Sequence, residues 1–340
     1  MKLKRVLVTG AAGFIGSHLT DNLLDYKNHV FTVDNLSGGD INNVNPKSHF
    51  TQLDLTNTVR TQKYIDKVRP EIIFHLAADA TEGRSQFTPL SSTQNNYLAY
   101  LNVLIPAIGN GLKKMILFSS MSVYGDQKPP FSEKMGTKPA DIYGVAKAAM
   151  EKATIILSKV HKFNYVLIRP HNVYGPRQNM TDPYRNVIAI FINRLFDNKH
   201  IFIYGDGKQK RAFTYIEDCL PSIVKAGLGN FNNEIFNIGS TQTITINQLS
   251  NIILSHFPKL QSKKSMIKYL PFRPMEVKYA YCTNDKAERF LKYKEKTNIY
   301  KGLTESIKWA RKKGHQPFKY LENLELTSKD TPKTWTEQLI

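Results

Sequence analysis

Thr9-Gly10-Ala11-Ala12-Gly13-Phe14-Ile15-Gly16 is the stretch on which the fold turns. Val6-Leu7-Val8 runs into it as a short apolar strand, and Phe14 to Leu24 leaves it with helical periodicity. The glycines have separate tasks. One permits a tight turn, one lets backbone approach a pyrophosphate, and one lets the helix pack close to the sheet. The first helical turn, Phe14-Ile15-Gly16, then offers free N–H groups and a positive dipole end to the phosphates. Asp34 ends the next strand, 18 residues past Gly16. A carboxylate there accepts from ribose hydroxyls and repels a 2′-phosphate. No Arg follows in Asn35-Leu36-Ser37-Gly38, so the expected cofactor is NAD rather than NADP. Asp54-Leu55, after the third strand, is placed to cover the adenine.

Outward from the loop, strands and helices alternate. Strands are expected at Val30 to Val33, His49 to Leu53, Glu71 to Leu76, Met115 to Phe118 and Tyr165 to Ile168. Helices are expected up to Val68, from Leu90 to Asn110 and from Ile142 to Val160. Short apolar strands separated by helices mean βαβ units and a parallel sheet. After Pro170 the loops lengthen, and helices are expected near Asn186 to Phe196, Ile216 to Ala226, Ile246 to His256 and Gly302 to Lys312. The expected class is α/β, a doubly wound parallel sheet with a smaller C-terminal substrate-binding lobe. Residues 1–170 form the dinucleotide domain, and 171–318 form mainly the substrate lobe with some crossing back. The polar tail 319–340 is unassigned.

Composition narrows the class of function. Lys and Arg number 47 against 28 Asp and Glu, a net charge of +19. The lysines are scattered, and the densest run, Lys259 to Lys268, is too loose for a nucleic-acid arm. The excess is expected to steer an anionic small molecule at most, with no nucleic-acid partner. Cys219 and Cys282 are too few for a disulfide framework, and no metal-ligand spacing is present, so no metal is expected. No apolar run reaches membrane-spanning length, and residues 1–10 read as a strand and loop rather than a secretion signal. A cytoplasmic protein without membrane partners is the expectation.

Tyr143-Gly144-Val145-Ala146-Lys147 lies in an expected helix, where i, i+4 spacing puts both side chains on one face. A free phenol titrates near pH 10, too high for a neutral-pH base. A nearby ammonium and an oxidised nicotinamide would both favour the phenolate. Lys147 can also hold the nicotinamide ribose. Ser119 and Ser120 follow the fifth strand, at the carboxyl end of the sheet, where ligands of open α/β folds bind. Ser120 could hydrogen-bond the reacting hydroxyl and relay its proton to Tyr143. Taken singly, such serines satisfy turn backbone and such Tyr–Lys pairs are common on amphipathic helices. The glycine loop upstream changes their weight.

These residues and others carry a resemblance. Thr9-Gly-x-x-Gly13-Phe-Ile-Gly16, Val33-Asp34-Asn35-Leu36-Ser37, His75-Leu76-Ala77-Ala78, Ser119-Ser120-x-x-Val123-Tyr124-Gly125, Tyr143-x-x-x-Lys147 and Arg169-Pro170-His171-Asn172-Val173-Tyr174-Gly175-Pro176 occur in order, and Tyr204-Gly205-Asp206-Gly207, Arg211 to Asp218 and Phe236-Asn237-Ile238-Gly239 follow. The chain resembles an extended short-chain dehydrogenase/reductase of the nucleotide-sugar epimerase/dehydratase group, whose fold is Rossmann-type. The resemblance makes Ser120, Tyr143 and Lys147 catalytic. It places Ala77, Ala78 and Asn96 along the cofactor channel and extends the NAD site to Asn35, Ser119 and Pro170. It implies Asn172 near the substrate diphosphate, Arg211 and Arg273 as phosphate clamps, Asn186, Val187 and Tyr204 around the nucleobase, and Ser85 against the sugar. Seven residues past Arg273, Ala280 falls at a gate beside the sugar, where a small residue admits an N-acetyl group. An insertion in that count would bring Tyr279 or Tyr281 there instead. Glu82-Gly83-Arg84 is an unusual run, and Arg84 could touch an acidic sugar.

The expected partner is a nucleotide sugar, UDP-linked, and the expected activity is 4-epimerisation through a transient 4-keto sugar. A 4,6-dehydratase shares the first oxidation but needs an acid and a base for C5 and C6. In that pattern an Asp-Glu pair follows the catalytic hydroxyl, whereas this chain has Met121 and Ser122. Uronate epimerisation or decarboxylation are further alternatives, and a silent nucleotide-binding scaffold is a third class. A homodimer is expected, because the helices around Asn96 to Leu104 and Ala148 to Leu157 carry more apolar positions than one sheet-facing stripe requires, among them Tyr97, Tyr100, Ile155 and Ile156.

Overall fold

The computed structural model describes residues 4–26, 28–261, 266–274 and 276–340. The opening residues 1–3 and positions 262–265 of the basic run lie outside them. Strands β1 (Arg5–Thr9), β2 (His29–Asp34), β3 (His49–Gln52), β4 (Ile72–His75), β5 (Lys114–Phe118) and β6 (Asn164–Pro170) build a parallel sheet. Its seventh strand, Glu234–Ile238, comes from far down the chain and pairs in parallel with β6. The order is Glu234–Ile238, β6, β5, β4, β1, β2, β3. β1 lies between β4 and β2, so the order reverses at its carboxyl end and opens a crevice there.

The central strands β1, β4 and β5 are buried on both faces, as a doubly wound sheet requires, whereas the edge strand β3 is largely exposed. Val6, Val8, Phe74, Ile116 and Ile168 face one layer, which contains α1 (Phe14–Leu24) and helix Ile216–Leu228. Leu7, Ile73, Met115, Leu117 and Leu167 face the other. That layer holds α2 (Thr58–Val68), α5 (Ala99–Gly109) and α6 (Ile142–His161). Between β4 and α5 lie two short helices, α3 (Glu82–Ser85) and α4 (Pro89–Thr93).

The single helix expected over Leu90 to Asn110 carries a π-helical turn at Gln94–Leu98, between α4 and α5. Its cause is local. The side-chain amides of Asn95 and Asn96 donate to the Ser91 and Ser92 carbonyls, at 2.9 and 2.7 Å. They take acceptors the backbone ladder would otherwise use.

Tyr100 does not belong to a spare surface. It is fully buried within the chain, and its hydroxyl meets Thr154 Oγ1 at 2.5 Å. Leu98, Ile105, Val145, Ile156 and Val160 on the same helices are exposed. Among the described residues no helix is long and apolar enough to cross a membrane.

The tail has a definite course. Lys319 N–H donates to the Thr181 carbonyl, and Leu321 N–H donates to the Tyr184 hydroxyl. The Glu325 carboxylate accepts from the Leu90 and Ser91 N–H groups at the start of α4, at 2.7 and 2.8 Å. Trp335 is buried with its ring edge-to-face on Phe87 and Tyr184, at centroid distances of 5.8 and 5.4 Å. Burial of one large aromatic and the capping of α4 hold the tail against both halves of the chain.

Candidate active site

The glycine loop has the geometry a pyrophosphate needs. Gly10 sits at φ +69°, where a Cβ would lie 2.8 Å from the Ala77 nitrogen. A Cβ on Gly16 would fall 2.1 Å from the Gly10 carbonyl oxygen. Gly13 caps α1 without a side chain, which leaves the first-turn N–H groups to a ligand. The Asp34 carboxylate accepts from Ala12 N–H at 3.0 Å and Leu36 N–H at 2.7 Å, which fixes it at the rim of the loop. Burial pushes its pKa up, and those backbone bonds pull it down less.

A cleft of about 730 Å³ runs from this loop along the carboxyl ends of the strands. Gly10, Gly13, Phe14, Ile15, Gly16, Asp34 and Asn35 line its far end with Asp54 and Leu55, and Ala77, Ala78, Ser119, Ser120, Tyr143, Lys147 and Pro170 line the near end. Its volume, glycine cradle and rim carboxylate fit a dinucleotide. Asn96 is not in its wall. It is fully buried, and its amide donates to the Asp79 and Ser92 carbonyls, so it braces the wall from behind.

Tyr143 and Lys147 share one face of α6, as i, i+4 spacing dictates. The Tyr143 hydroxyl is hydrogen-bonded to Ser120. Lys147 Nζ donates to the Phe118 carbonyl at 2.8 Å and lies 5.6 Å from the Tyr143 ring centre. Burial brings Lys147 down to about 7. Burial, then the Glu82 charge, pushes the Tyr143 phenol well above its usual range. The surroundings of Tyr143 therefore do not by themselves favour the phenolate. Ser120 and the Arg185 guanidinium pull the other way.

A second cavity, about 290 Å³, adjoins the cleft. Arg211, Arg273, Tyr204 and Ala280 line it. Arg273 pairs with Glu276 through two hydrogen bonds, at 3.2 and 3.3 Å, and its guanidinium lies 4.7 Å over the Tyr204 ring. Arg211 reaches the same carboxylate at 3.8 Å. Two guanidinium groups thus converge on one acid, which an incoming diphosphate could displace. Ala280, on the short strand Tyr279–Ala280, lines the cavity, and its tyrosine neighbours do not. Asn172, Asn186 and Val187 line both the cleft and the second cavity.

Two expected sugar contacts sit elsewhere. Ser85 is fully buried, donating to the Glu82 carbonyl and accepting from Tyr143 N–H. It lies in neither cavity wall. Arg84 lines the cleft, but its guanidinium is ion-paired with Asp79 and stacked 4.9 Å over Tyr184. An ion pair already in place leaves it poorly suited to a second anion.

The site also contains groups the sequence reading missed. Glu82 and Arg185 line both cavities. Asp141 caps α6 through Gly144 N–H, and burial followed by the Glu82 charge raises it to about 7. The tail contributes Lys319, Tyr320 and Leu321 to the cleft and Pro332, Trp335 and Ile340 to the second cavity. Trp335 was the one available signal in the tail, a large aromatic in a polar stretch.

A family model for NAD-dependent epimerases and dehydratases matches residues 6–239. A UDP-glucuronate 4-epimerase of Thermodesulfobacterium geofontis is 31% identical over 90% of this chain and 95% of its own length. The structure of a UDP-glucose 4-epimerase from Thermotoga maritima, with UDP-glucose, superposes with a TM-score of 0.84 at 32% identity over 91% of this chain and 99% of that one. A UDP-N-acetylglucosamine 4-epimerase from Methanobrevibacter ruminantium, in complex with UDP-N-acetylmuramic acid, gives 0.81 at 33% identity over 91% and 98%.

Proposed function

Because this chain belongs to the NAD-dependent epimerase/dehydratase family, we propose that it is a nucleotide-sugar 4-epimerase working through a transient 4-keto sugar. The substrate we propose is a UDP-linked hexose or N-acetylhexosamine. The observation that carries this reading is the seam between the two cavities. A dinucleotide-shaped cleft and an arginine-lined cavity share Glu82, Met121, Asn172, Arg185, Asn186 and Val187, and the Ser120–Tyr143 pair stands beside that shared wall.

NAD, when bound, supplies the acceptor and donor of hydride. The residues we assign to hold it are the loop Gly10 to Gly16, Asp34, Asn35, Asp54, Leu55, Ala77, Ala78, Ser119, Pro170 and Lys147. The remaining chemistry is the work of side chains. Tyr143 accepts the proton of the sugar hydroxyl, with Ser120 as relay between them. Lys147, anchored on the Phe118 carbonyl, fixes the position of the phenol. Arg211 and Arg273 hold the diphosphate while the sugar turns, and Ala280 leaves space for an N-acetyl group. The ion pair of Arg84 with Asp79 weighs against a uronate. Similarity to the UDP-glucuronate 4-epimerase of Thermodesulfobacterium geofontis keeps that sugar in the experiment.

Incubating the protein and NAD with UDP-glucose, UDP-N-acetylglucosamine and UDP-glucuronate, followed by NMR, tests the proposal. Inversion at C4 of the first or second sugar is expected, with Tyr143→Phe reduced about 10²–10⁴-fold. Retention of more than about a tenth of turnover by that variant would reject Tyr143 as the base. We also infer a homodimer through the exposed Leu98, Ile105, Val145, Ile156 and Val160. Light scattering that returns 38.8 kDa rejects it.

A further inference from the structure

Met121 and Ser122 stand where a carboxylate acid–base pair would follow the catalytic hydroxyl, yet a carboxylate reaches that place by another route. Glu82, from α3, accepts a hydrogen bond from Ser122 Oγ at 3.3 Å. Ser120 Oγ donates to Ser122 Oγ at 3.1 Å. Glu82 is therefore linked through two hydroxyls to the Tyr143 phenol. Its side chain is accessible because it faces the open seam between the two cavities, with protein packed around it. It makes no ion pair within 4.0 Å among the described residues, unlike Asp79, Asp182 and Glu276 nearby.

We propose that Glu82 is an acid–base group for the carbon next to a sugar ketone held in this site, so that the chemistry extends beyond inversion at one centre. The proposal rests on the nucleotide-sugar reading above. A C–H bond beside a carbonyl is acidic because the carbonyl oxygen can take the charge. The Glu82 carboxylate removes that proton. The C–H electron pair becomes the C=C bond of an enolate, and the carbonyl π pair moves to oxygen. The Tyr143 hydroxyl donates to that oxygen, as an oxyanion-hole donor does. The proton on Glu82 exchanges with water in the open seam, and its return to carbon restores the ketone. Nothing is oxidised or reduced, and no co-reactant is required. Desolvation by the protein packed around it pushes the Glu82 pKa up, while its own backbone N–H, Arg185, the Ser122 hydroxyl and Arg273 offset part of that rise. A carboxylate so raised is a better base at neutral pH.

The test uses a ready-made ketone, UDP-4-keto-6-deoxyglucose, with the protein and NAD in deuterium oxide. Proton NMR follows the ring C–H signals beside the carbonyl. We expect deuterium to enter one of them at least about tenfold faster than in buffer, and Glu82→Gln to cut the enzyme's contribution about 10²–10⁴-fold. The variant's melting temperature and NAD affinity should be unchanged, because the Glu82 carboxylate anchors neither the glycine loop nor a salt bridge. Ser122→Ala removes the hydroxyl link and should slow exchange less. Exchange no faster than in buffer, or equal exchange by the wild type and Glu82→Gln, overturns the proposal. So does a ketone that calorimetry shows does not bind. The ketone needs no prior oxidation, so failure here is separate from a failure to epimerise the UDP-sugars.

Discussion

Replacing Glu151 should cost more stability than any other single polar substitution near the site. Its carboxylate accepts from Arg169 Nε at 2.8 Å and Nη2 at 2.6 Å, with the two side chains only 4% and 3% exposed. Arg169 Nη1 donates to the Tyr124 hydroxyl at 2.8 Å, and that hydroxyl donates to Asn237 Oδ1 at 2.8 Å. Four elements are tied at this point: α6, β6, the turn Met121–Tyr124 and the strand Glu234–Ile238. Burial acts to lower the Arg169 pKa, and the Glu151 carboxylate more than offsets it. Glu151→Leu leaves a guanidinium in a dry interior without a counter-charge, at a cost of about 3–5 kcal/mol. An unfolding entropy near 2.1 cal/mol/K per residue, applied to 340 residues, converts this to a fall of roughly 4–7 °C in Tm. Glu151→Leu with Arg169→Met removes both charges and leaves Tyr124 its bond to Asn237. The double variant should recover most of the loss, since an apolar pair often replaces a buried ion pair at little cost. Scanning calorimetry of the wild type, each single variant and the double variant measures both effects. A fall of less than about 1 °C in the single variant, or a double variant as unstable as the two single losses added, refutes the reasoning.

Further outcomes follow from the same geometry. Trp335→Ala should loosen the tail and weaken UDP binding about tenfold, with NAD affinity changed less; equal losses for both ligands in calorimetry would count against a wall specific to the second cavity. Ala280→Tyr should fill the space beside the sugar and abolish turnover of UDP-N-acetylglucosamine before that of UDP-glucose; an unchanged ratio rejects Ala280 as the gate. Lys147 should lose its proton near pH 7 in the cofactor-free protein, so the unfolded chain binds more protons between about pH 7 and 10.5 and this group's contribution to stability rises with pH across that window. NMR of the Lys147 side chain showing an ordinary high-pH titration would contradict it.

Much of the sheet was legible because most of its first six strands are short apolar runs beside a turn; β3, His-Phe-Thr-Gln, is the exception. The expected helix Phe14 to Leu24 matches α1 at both ends, since Gly13 and the polar residues after Leu24 mark them. The π turn escaped notice because it depends on two side-chain amides competing for carbonyls. The Ser120, Tyr143 and Lys147 arrangement was readable from spacing on one helix and the end of one strand. Ser85 and Glu82 were not. They lie three residues apart on a single turn, and the direction in which each points depends on how α3 docks, which no periodicity over four residues reveals. Arg84 was read as a contact for an acidic sugar because its partner Asp79 is five residues away, outside helical spacing. The tail read as polar because its anchors, Glu325 and Trp335, act singly rather than as a periodic face.

The strand Glu234–Ile238 has a consequence for any attempt to divide or recombine this protein. It lies in the chain between Arg211 and Arg273 yet forms the outer edge of the nucleotide-side sheet, beside β6. A fragment ending at residue 170 would leave the N–H and C=O groups of β6 facing solvent. It would also uncover Ile168 and Val166, which are completely buried, and create an unprotected edge prone to self-association. A chimaera that exchanged the second half with a relative's would import a foreign strand into this chain's own sheet. The natural cut for such grafts is therefore two-part, with the strand Glu234–Ile238 kept in its native company and only the stretches on either side of it exchanged.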